Sequence, residues 1–559
     1  MKKAFLSMVP ALLVIMMAAC GGGGSSTPSG ASQGVPASLP VLSPDNPVTF
    51  TIFSQSGFPD MAADNRFLKM LKDELGVTLQ IDNSSGMNSA EKIGIMIASG
   101  DLPDFMYVDN GSSRFLQTGN IMSLDEWLSI APNINKHVTG YRKQMSHPDD
   151  GKLYVLPNYN RFYGEVVIGD YDGPAFFIQK AVLEEFNFPE IKTLDDYFNI
   201  LQRYKDKYPT IDGAPTIGFA ESGTAAFAPH ITNPPLHLMG QANNGNFAWL
   251  GDHAELFGHN DSAKRYLQTM NKYYQSGLID GEMFTQSADQ YQAKLATGQV
   301  LGIFDEGWAL RAFGSEPALR QAGMNNRTMV ATTPTWPGVA PYYRDRPVMN
   351  LEQGYGINVN SPRRAQAVAL INTLLEEKWQ KLMTWGVEGV DYQVNAEGRY
   401  FRTPEQRAQR EDAVWRARNL PEVFWDALPK TQGTYSDGNS FTPANQAEEW
   451  QATLSDYDKA FLAKAGKETW AEFAGDPPPN PVWYPLWTIS VIDGSDAQLA
   501  ATEYIELLFQ YYSQAVVSPT ADFEKTWQTF LDRVKAVDTA AYEQRFTEQA
   551  MIRIREWSE

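Results

Sequence analysis

The fold class is decided by residues 48–108, which read VTFTIFSQSGFPDMAADNRFLKMLKDELGVTLQIDNSSGMNSAEKIGIMIASGDLPDFMYV. The first five residues alternate apolar and polar side chains, a period of two that predicts a β-strand over 48–53. From Asp64 to Leu75 apolar residues recur every three or four positions, which predicts a helix that Gly76 ends. Similar patterns predict strands at 77–81 and 104–108 and a helix at 89–99. This order, with short connections, predicts a parallel sheet flanked by helices.

Ligands of such open sheets bind beyond the carboxyl ends of the strands. We therefore expect the loops at 54–61 and 109–113 to line a cleft. Farther along, Asp150-Gly151 is a turn signal that predicts a returning strand at 152–156.

A second α/β unit is predicted from about residue 172. Its predicted elements are strands at 176–179 and 300–304, a helix that Thr193 caps and a helix at 261–275. A strand at 355–359 then leads into Ser361-Pro362, which predicts the N-cap and first residue of a further helix. From residue 400 onward the pattern is mainly helical, and a proline-rich stretch with nearby aromatic residues interrupts it: 477–481, Trp483, Tyr484 and Trp487.

Length and charge exclude several classes of protein. The chain has 559 residues, of which 43% are hydrophobic and 20% charged, and a formal charge of −20. This length exceeds one ordinary core, so we expect at least two lobes. The strongly acidic balance argues against binding to nucleic acid. The aromatic content of 12% suits both a packed core and a carbohydrate-binding cleft, and composition does not separate the two.

Cys20 is the only cysteine, and it follows a segment with the features of an export signal. Lys2 and Lys3 precede an apolar run that is too short to span a bilayer. The sequence Met17-Ala-Ala-Cys20 resembles the lipobox of bacterial lipoproteins, with Met17 where Leu is usual, and this implies lipidation of Cys20. An ordinary secretory signal with an incidental cysteine is the alternative. Residues 21–39 are rich in Gly, Ser and Pro, which predicts a flexible tether.

Signatures of catalysis are mostly absent from the sequence. It contains no phosphate-binding Gly-x-x-x-x-Gly-Lys loop, no Gly-x-Ser-x-Gly elbow and no His-Glu-x-x-His pair. Carboxylates are numerous, so a glycosidase pair stays open, although nothing favours one pair over another. We expect no catalytic residue, no cofactor and no metal.

Several segments, taken in chain order, resemble the family 1 extracellular solute-binding lipoproteins of carbohydrate ABC importers, in particular the long, LplA-like group. These segments are the lipobox, the strand at 48, Asp101-Leu-Pro-Asp104, Asp150-Gly-Lys-Leu-Tyr-Val-Leu-Pro157, 177–193, Gly277-Leu-Ile-Asp280, Gly298-Gln-Val-Leu-Gly302, Tyr355-Gly-Ile-Asn358 and Gly386-Val-Glu-Gly-Val-Asp-Tyr392. Together they cover nearly the whole chain after Cys20.

The resemblance implies an α/β, periplasmic-binding-protein-like fold in which a multi-strand hinge joins two lobes around a cleft. The expected division is a signal peptide at 1–19, a tether at 20–46, an N-lobe at 47–168 to which about 348–384 returns, and a C-lobe at 172–345 on which about 388–559 packs. The implied protein is a monomer on the extracytoplasmic face of the cell membrane, held only by its lipid. It captures an oligosaccharide for integral-membrane permease subunits. A surface-anchored glycosidase or lyase, and a receptor for peptides or other non-sugar solutes, are the alternatives.

One departure from relatives concerns calcium. Some alginate-binding members of the family carry a calcium loop after the Thr-capped helix. Here the corresponding residues 205–213 offer only Asp206 and Asp212 as carboxylates. Because a calcium loop needs more oxygen ligands at alternating positions, we expect no calcium there.

Candidate sugar contacts are polar and aromatic residues on loops expected to face the cleft. Each competes with a role in core packing or in a surface ion pair, and we expect about half of them to touch ligand. They are Trp308 with Asp305 and Glu306 directly after a strand, Trp336 in a proline-bounded loop, Tyr355 and Trp385 near the lobe crossings, and Tyr159 and Arg161, of which Arg161 suits a uronate carboxylate.

Overall fold

The computed structural model describes residues 34–54, 61–83, 89–108, 113–157, 162–163, 169–222, 231–312, 314–344, 346–347, 349, 351, 353–421, 432–475 and 483–558. The strands are β1 Val48–Ser54, β2 Val77–Asn83, β3 Phe105–Val108, β4 Phe162–Tyr163, β5 Pro174–Gln179, β6 Thr210–Ile211, β7 Ala214–Pro215, β8 Ile217–Ala220, β9 Phe247–Leu250, β10 His253–Leu256, β11 Val300–Glu306, β12 Met329–Thr332, β13 Arg346–Pro347, β14 Gly354–Ile357, β15 Gln393–Val394, β16 Tyr400–Phe401, β17 Gln432–Gly433 and β18 Trp483–Tyr484.

The α-helices are α1 Arg66–Leu75, α2 Ser89–Ser99, α3 Arg114–Gln117, α4 Pro132–Val138, α5 Lys180–Glu185, α6 Leu194–Lys207, α7 Pro234–Leu238, α8 Asp261–Gln275, α9 Ala288–Ala296, α10 Gly307–Ala312, α11 Ser315–Gln321, α12 Arg364–Leu374, α13 Glu377–Thr384, α14 Pro404–Glu411, α15 Ala413–Asn419, α16 Ala447–Thr453, α17 Asp456–Ala465, α18 Asp496–Val517, α19 Phe523–Val534 and α20 Ala540–Ser558. None of the helices in the described ranges combines the length and apolar composition needed to cross a membrane.

The first lobe is built on a four-stranded sheet in the order β14-β3-β1-β2. Strand β1 runs parallel to β2 and β3, whereas β14 runs antiparallel to β3. The predicted strand–helix alternation over 48–108 is therefore confirmed. Helix α1 begins at Arg66, two residues later than predicted, because the Asn65 side chain accepts the amides of Phe67 and Leu68.

The second lobe is built on a four-stranded sheet in the order β12-β5-β11-β8. Strand β11 is parallel to β8 and antiparallel to β5, which is itself antiparallel to β12. The strands predicted at 176–179 and 300–304 are confirmed within β5 and β11. Thr193 caps α6 as predicted, in a reciprocal capping box with Asp196.

Two local predictions are wrong, and side-chain hydrogen bonds explain both. Residues 152–156 form no strand, because the Lys152 amide donates to the Asp150 side chain (3.0 Å) and the Leu153 amide to the Asp125 side chain (3.0 Å). Ser361 does not cap α12, which begins only at Arg364. The Ser361 hydroxyl instead donates to Asp104 Oδ1 at 2.6 Å.

Asp104 joins distant parts of the first lobe. Its carboxylate is almost completely buried and accepts the amide (3.0 Å) and hydroxyl (3.2 Å) of Thr51 on β1. The same carboxylate accepts from Ser361 and, at 3.0 Å, from Arg363 Nη1. The group therefore fixes the segment after β14 against the first strand of the sheet.

The region after residue 400 is mainly helical, as predicted, and much of it belongs to the second lobe. Residues from α18, α19 and α20 share one buried core with the second sheet. A buried ion pair attaches α17 to α5: Lys180 Nζ lies 2.6 Å from Asp458 Oδ1, and their side chains are 1% and 0% exposed. Arg320 Nη1 lies 2.6 Å from the other Asp458 oxygen. Two short parallel pairs, β4 with β17 and β13 with β18, involve the segments that connect the lobes.

The first prediction concerns Asp458. Replacement by Asn removes the charge opposite a buried lysine, so we expect Asp458→Asn to lower the free energy of unfolding by about 3–5 kcal/mol in urea denaturation. Asp456→Asn is the matched control, because Asp456 is an exposed residue in the first turn of the same helix. Its loss is expected to stay within about 1 kcal/mol. Equal losses in the two variants would show that the buried ion pair with Lys180 contributes no more to the free energy of unfolding than an exposed carboxylate does.

Candidate functional site

The carboxyl ends of β8, β11 and β12 meet at one edge of the second sheet, because these three strands run in the same direction. Ala220 at the end of β8 pairs with Ile303 of β11. The residues that follow are acidic: Glu221 after β8, and Asp305 and Glu306 at the end of β11. Open α/β sheets bind their ligands beyond the carboxyl ends of the strands, which lie at this edge.

A cavity of about 220 Å³ lies at this edge. Its lining combines amide, hydroxyl and carboxylate side chains with two aromatic rings: Thr232, Asn233, Asn243, Gly245, Asn246, Glu306, Trp487, Ile505, Leu508 and Phe509. Half of these ten residues are polar, and four of the others are apolar or aromatic, a combination that suits a polar small molecule. Planar amides can bind hydroxyl groups, and the rings offer faces for apolar C–H surfaces.

Trp308 and Asp305 have different roles at this edge. Trp308 follows β11 in the first turn of α10, and 49% of its surface is exposed. Asp305 is completely buried. It accepts the Tyr291 hydroxyl at 2.9 Å and the Glu306 amide at 2.7 Å. Asp305 therefore supports the turn that carries Glu306 to the cavity.

Glu221 is the acidic residue that the sequence analysis missed. Its side chain is completely buried, and Oε1 accepts the Tyr266 hydroxyl at 3.0 Å. Burial raises the pKa of Glu221 well above its ordinary value of 4.5, and the charge of Asp305 raises this pKa further. The sequence did carry a signal for Glu221. The polar pair Glu221-Ser222 follows the short apolar run of β8, as Asp305-Glu306 follows the apolar run in β11.

The structure places three predicted contacts away from the cavity. Trp336 packs on α8, where its indole N–H donates to Ser262 Oγ at 2.7 Å and its ring lies 4.0 Å from the Arg265 guanidinium. Tyr355 is buried in the first lobe's core. Trp385 is completely buried and donates its indole N–H to the Ser440 carbonyl at 2.9 Å. Tyr355 and Trp385 are thus packing residues here, in place of the expected ligand contacts.

The remaining predictions concern residues outside the described ranges and the binding of metal ions. Cys20, Tyr159 and Arg161 lie outside the described residues, as do residues 55–60 and 109–112 of the two expected cleft loops. In the segment that corresponds to the calcium loop of some relatives, β6 and β7 form a hairpin whose turn is Asp212-Gly213, with φ of +50° and +82°. Across the described ranges, no group of three or more His, Cys, Asp or Glu side chains is arranged to hold a metal ion.

A larger cavity of about 500 Å³ lies elsewhere, between the first lobe and α20. Its wall contains four cationic residues, Arg142, Lys143, Arg553 and Arg555. Arg142 is bound to Asp125 and Arg555 to Glu556. We favour the smaller cavity as the candidate site, because it is at the strand ends and contains aromatic rings.

A sequence model described as bacterial extracellular solute-binding protein matches residues 65–389, more than half of the chain. The chain belongs to this family. The fructooligosaccharide ABC transporter substrate-binding protein FusA of Streptococcus pneumoniae is 28% identical to this solute-binding protein over 257 residues, 42% of this chain and 45% of that one. The chain thus matches less than half the length of this curated relative.

Solved structures show the fold of this solute-binding protein. An HMO-binding, ABC-transporter-associated solute-binding protein from Bifidobacterium longum infantis has a TM-score of 0.64 at 16% identity, covering 91% of this chain and 99% of that one. FusA of S. pneumoniae in complex with kestose has a TM-score of 0.62 at 17% identity, covering 92% and 100%. The predicted two-lobed, periplasmic-binding-protein-like fold is therefore confirmed.

The second prediction concerns the proton on Glu221. Since the pKa is raised in the folded protein, the wild type loses stability relative to Glu221→Gln as the pH rises above about 4.5. We expect the difference in unfolding free energy to grow by up to about 1.4 kcal/mol per pH unit above that value. Urea denaturation at several pH values between 4 and 8 measures it. Glu503→Gln, at an exposed position on α18, is the control, and a slope shared by both variants would contradict the burial of Glu221 as the cause.

Proposed function

We propose that this protein is a lipid-anchored receptor that captures a neutral oligosaccharide between its lobes and delivers it to the permease of an ABC importer. The observation that carries the proposal is the cavity at the strand ends, where Asn233, Asn243 and Asn246 face the same space as Trp487 and Phe509. Amides bind sugar hydroxyls while aromatic rings stack on the apolar faces of the sugar. The fructooligosaccharide named for FusA and the HMO named for the Bifidobacterium protein support a sugar ligand.

Charge at the site supports a neutral sugar. Glu306 contributes a carboxylate to the wall, and Asp305 lies directly beneath it. Of the described residues that line the cavity, none is cationic. A uronate or phosphorylated sugar placed here would bring a second negative charge into a partly desolvated space, which is unfavourable. A neutral sugar avoids this repulsion and can donate its hydroxyl hydrogens to Glu306.

Lobe closure is the proposed mechanism of capture. Between the lobes lie exposed or half-exposed ion pairs, Arg114 with Asp493 at 2.6 Å and Arg545 with Asp149 at 2.8 Å. Pairs of this kind contribute little net stability, so they can form and separate as the cleft closes and opens. The short strand pairs in the connecting segments form the proposed hinge. The proposed lobes are 47–168 with 348–384, and 172–345 with 388–559.

Membrane attachment and partners complete the proposal. A lipid on Cys20 and the tether at 20–46, after removal of 1–19, hold a monomer on the extracytoplasmic face near its permease. No bond of the sugar is broken, so the receptor is not an enzyme. Release of smaller sugars from an oligosaccharide by the purified protein would favour the alternative of a glycosidase or lyase.

The third prediction tests sugar binding. In a thermal-shift panel, neutral tri- to pentasaccharides including kestose are expected to raise the melting temperature, whereas uronate oligomers of equal length are not. Trp308→Ala is expected to weaken the affinity for the bound sugar about 10-fold, because Trp308 lies two residues after Glu306 of the cavity wall. The melting temperature is expected to change little, because the ring is half exposed.

Trp336→Ala is the matched control, since the Trp336 ring packs on Arg265 away from the cavity. It is expected to lower the melting temperature and to keep the sugar affinity. No response to any sugar, or a response to peptides alone, would refute the proposed function.

The fourth prediction separates anchor from receptor. Cys20→Ala removes the lipid acceptor, so the protein is expected in the soluble fraction or as an unprocessed precursor, with sugar affinity of the folded protein unchanged. Membrane fractionation and calorimetry measure the two properties. Ser25→Ala, a tether position, is the control. Loss of sugar binding in correctly folded Cys20→Ala protein would show that the anchor is part of the receptor.

A further inference from the structure

Trp487 lies on a turn with an unfavourable backbone. The turn, residues 485–488, follows β18 and brings Trp487 into the wall of the candidate sugar cavity. Thr488 has a φ of +53°, in the left-handed region that β-branched residues rarely adopt. Within the described structure the buried Thr488 hydroxyl has no hydrogen-bond partner. Such a conformation costs on the order of 1–3 kcal/mol and persists only where its surroundings hold it.

Arg553 on α20 holds this turn by its main chain. Its guanidinium donates from Nη1 to the carbonyls of Pro485 (3.0 Å) and Trp487, and from Nη2 to the carbonyl of Thr488 (3.1 Å). Arg553 is 8% exposed, so these bonds are shielded from water. The planar guanidinium can serve several carbonyls at once, which the single ammonium group of a lysine cannot do in the same geometry.

Helix α20, which carries Arg553, packs in the second lobe and also contacts the first lobe. Phe546 and Ala550 are buried in the second lobe's core. On another face, Arg545 binds Asp149 of the first lobe through two hydrogen bonds (2.8 and 3.2 Å), and Gln549 donates to the same carboxylate at 2.9 Å. The helix that carries Arg553 therefore has a defined position on the second lobe, and in this conformation it also contacts the first lobe.

We propose that Arg553 is a positioning residue of the sugar site, which acts by holding the 485–488 turn so that Trp487 stands ready in the cavity wall. The proposal rests on the proposed function of that cavity. Arg553 lines the other, larger cavity rather than this one, so it acts on the sugar through Trp487 and makes no contact of its own.

The first test of Arg553 requires no sugar. The full chain is labelled with 5-fluorotryptophan, and Trp487→Phe identifies the Trp487 signal in the ¹⁹F NMR spectrum. Arg553→Lys is expected to shift or broaden this signal, because the turn then samples other conformations. Arg555→Lys, at an exposed position on the same helix, is the control and is expected to leave the signal in place. An unchanged signal in Arg553→Lys would overturn the proposal, whatever the protein binds.

The second test uses kestose as the probe in isothermal titration calorimetry. Arg553→Lys is expected to weaken kestose binding roughly 3- to 10-fold, the range for loss of one aromatic contact. The same change in a Trp487→Ala background is expected to cause no further loss, because the residue through which Arg553 acts is gone. A full further loss in that background would overturn the proposal.

A third variant separates turn geometry from general damage. Glycine adopts positive φ without steric penalty, so Arg553→Lys with Thr488→Gly is expected to recover part of the lost affinity and a sharp Trp487 signal. A fall in melting temperature without this recovery would indicate a role of Arg553 in stability alone. Absence of kestose binding by the wild type would count against the proposed function, and the NMR test would still decide the role of Arg553.

Discussion

The carboxylate of Asp104 is the contact on which the first lobe depends. It accepts hydrogen bonds from Thr51 on the first strand and from Ser361 and Arg363, which follow it by 257 and 259 residues. A buried carboxylate needs such donors, since an unpaired one is strongly destabilising. The pairing fixes where the chain returns to the first lobe after building the four strands of the second sheet. The same carboxylate therefore holds the segment that follows β14 close to β1, and it helps to keep β14 in the first sheet.

The second lobe uses buried polar groups differently, as a support for the proposed sugar site. Tyr291 on α9 donates to Asp305, and Tyr266 on α8 donates to Glu221. The two helices thus hold acidic groups beneath the edge where the strands end. Glu306 at the end of β11 and Trp308 in the first turn of α10 are positioned by this support. A preorganised wall of this kind loses little conformational freedom when a ligand binds.

Sequence patterns predicted the start of the first lobe well, because its apolar residues follow the spacing of a strand or of a helix without interruption. The strand at 48–53 and the helix ending at Gly76 follow from spacing alone. The strand expected at 152–156 was wrong because the Asp150 and Asp125 side chains accept the amides of Lys152 and Leu153, and hydrophobic periodicity does not reveal such side-chain bonds. The Asp150 bond joins neighbours in sequence and belongs to the turn itself, whereas Asp125 is brought to Leu153 by the fold.

The candidate site was predictable only where it adjoins a strand. Glu306 and Trp308 were predicted because they lie at the end of β11 and two residues beyond it. Trp385 was misplaced because an aromatic residue suits a core as well as a cleft, and sequence spacing does not separate the two. Trp487 reaches the cavity from far along the chain, held by contacts with Arg553. Its role depends on tertiary contacts that single-sequence patterns do not encode.

The place of β14 in the first sheet also constrains the order of folding. All four strands of the second sheet, β5, β8, β11 and β12, precede β14 in the chain. A chain that has emerged only as far as residue 350 therefore exposes the edge of β3, with its main-chain groups unpaired. The first sheet can be completed only after the strands of the second sheet have been synthesised. The first lobe therefore cannot fold completely before the second, although the N-terminal domain usually folds first. Until residue 357 has emerged, the nascent chain exposes the unpaired main-chain groups of β3. This edge can pair with another copy of the chain unless a chaperone covers it.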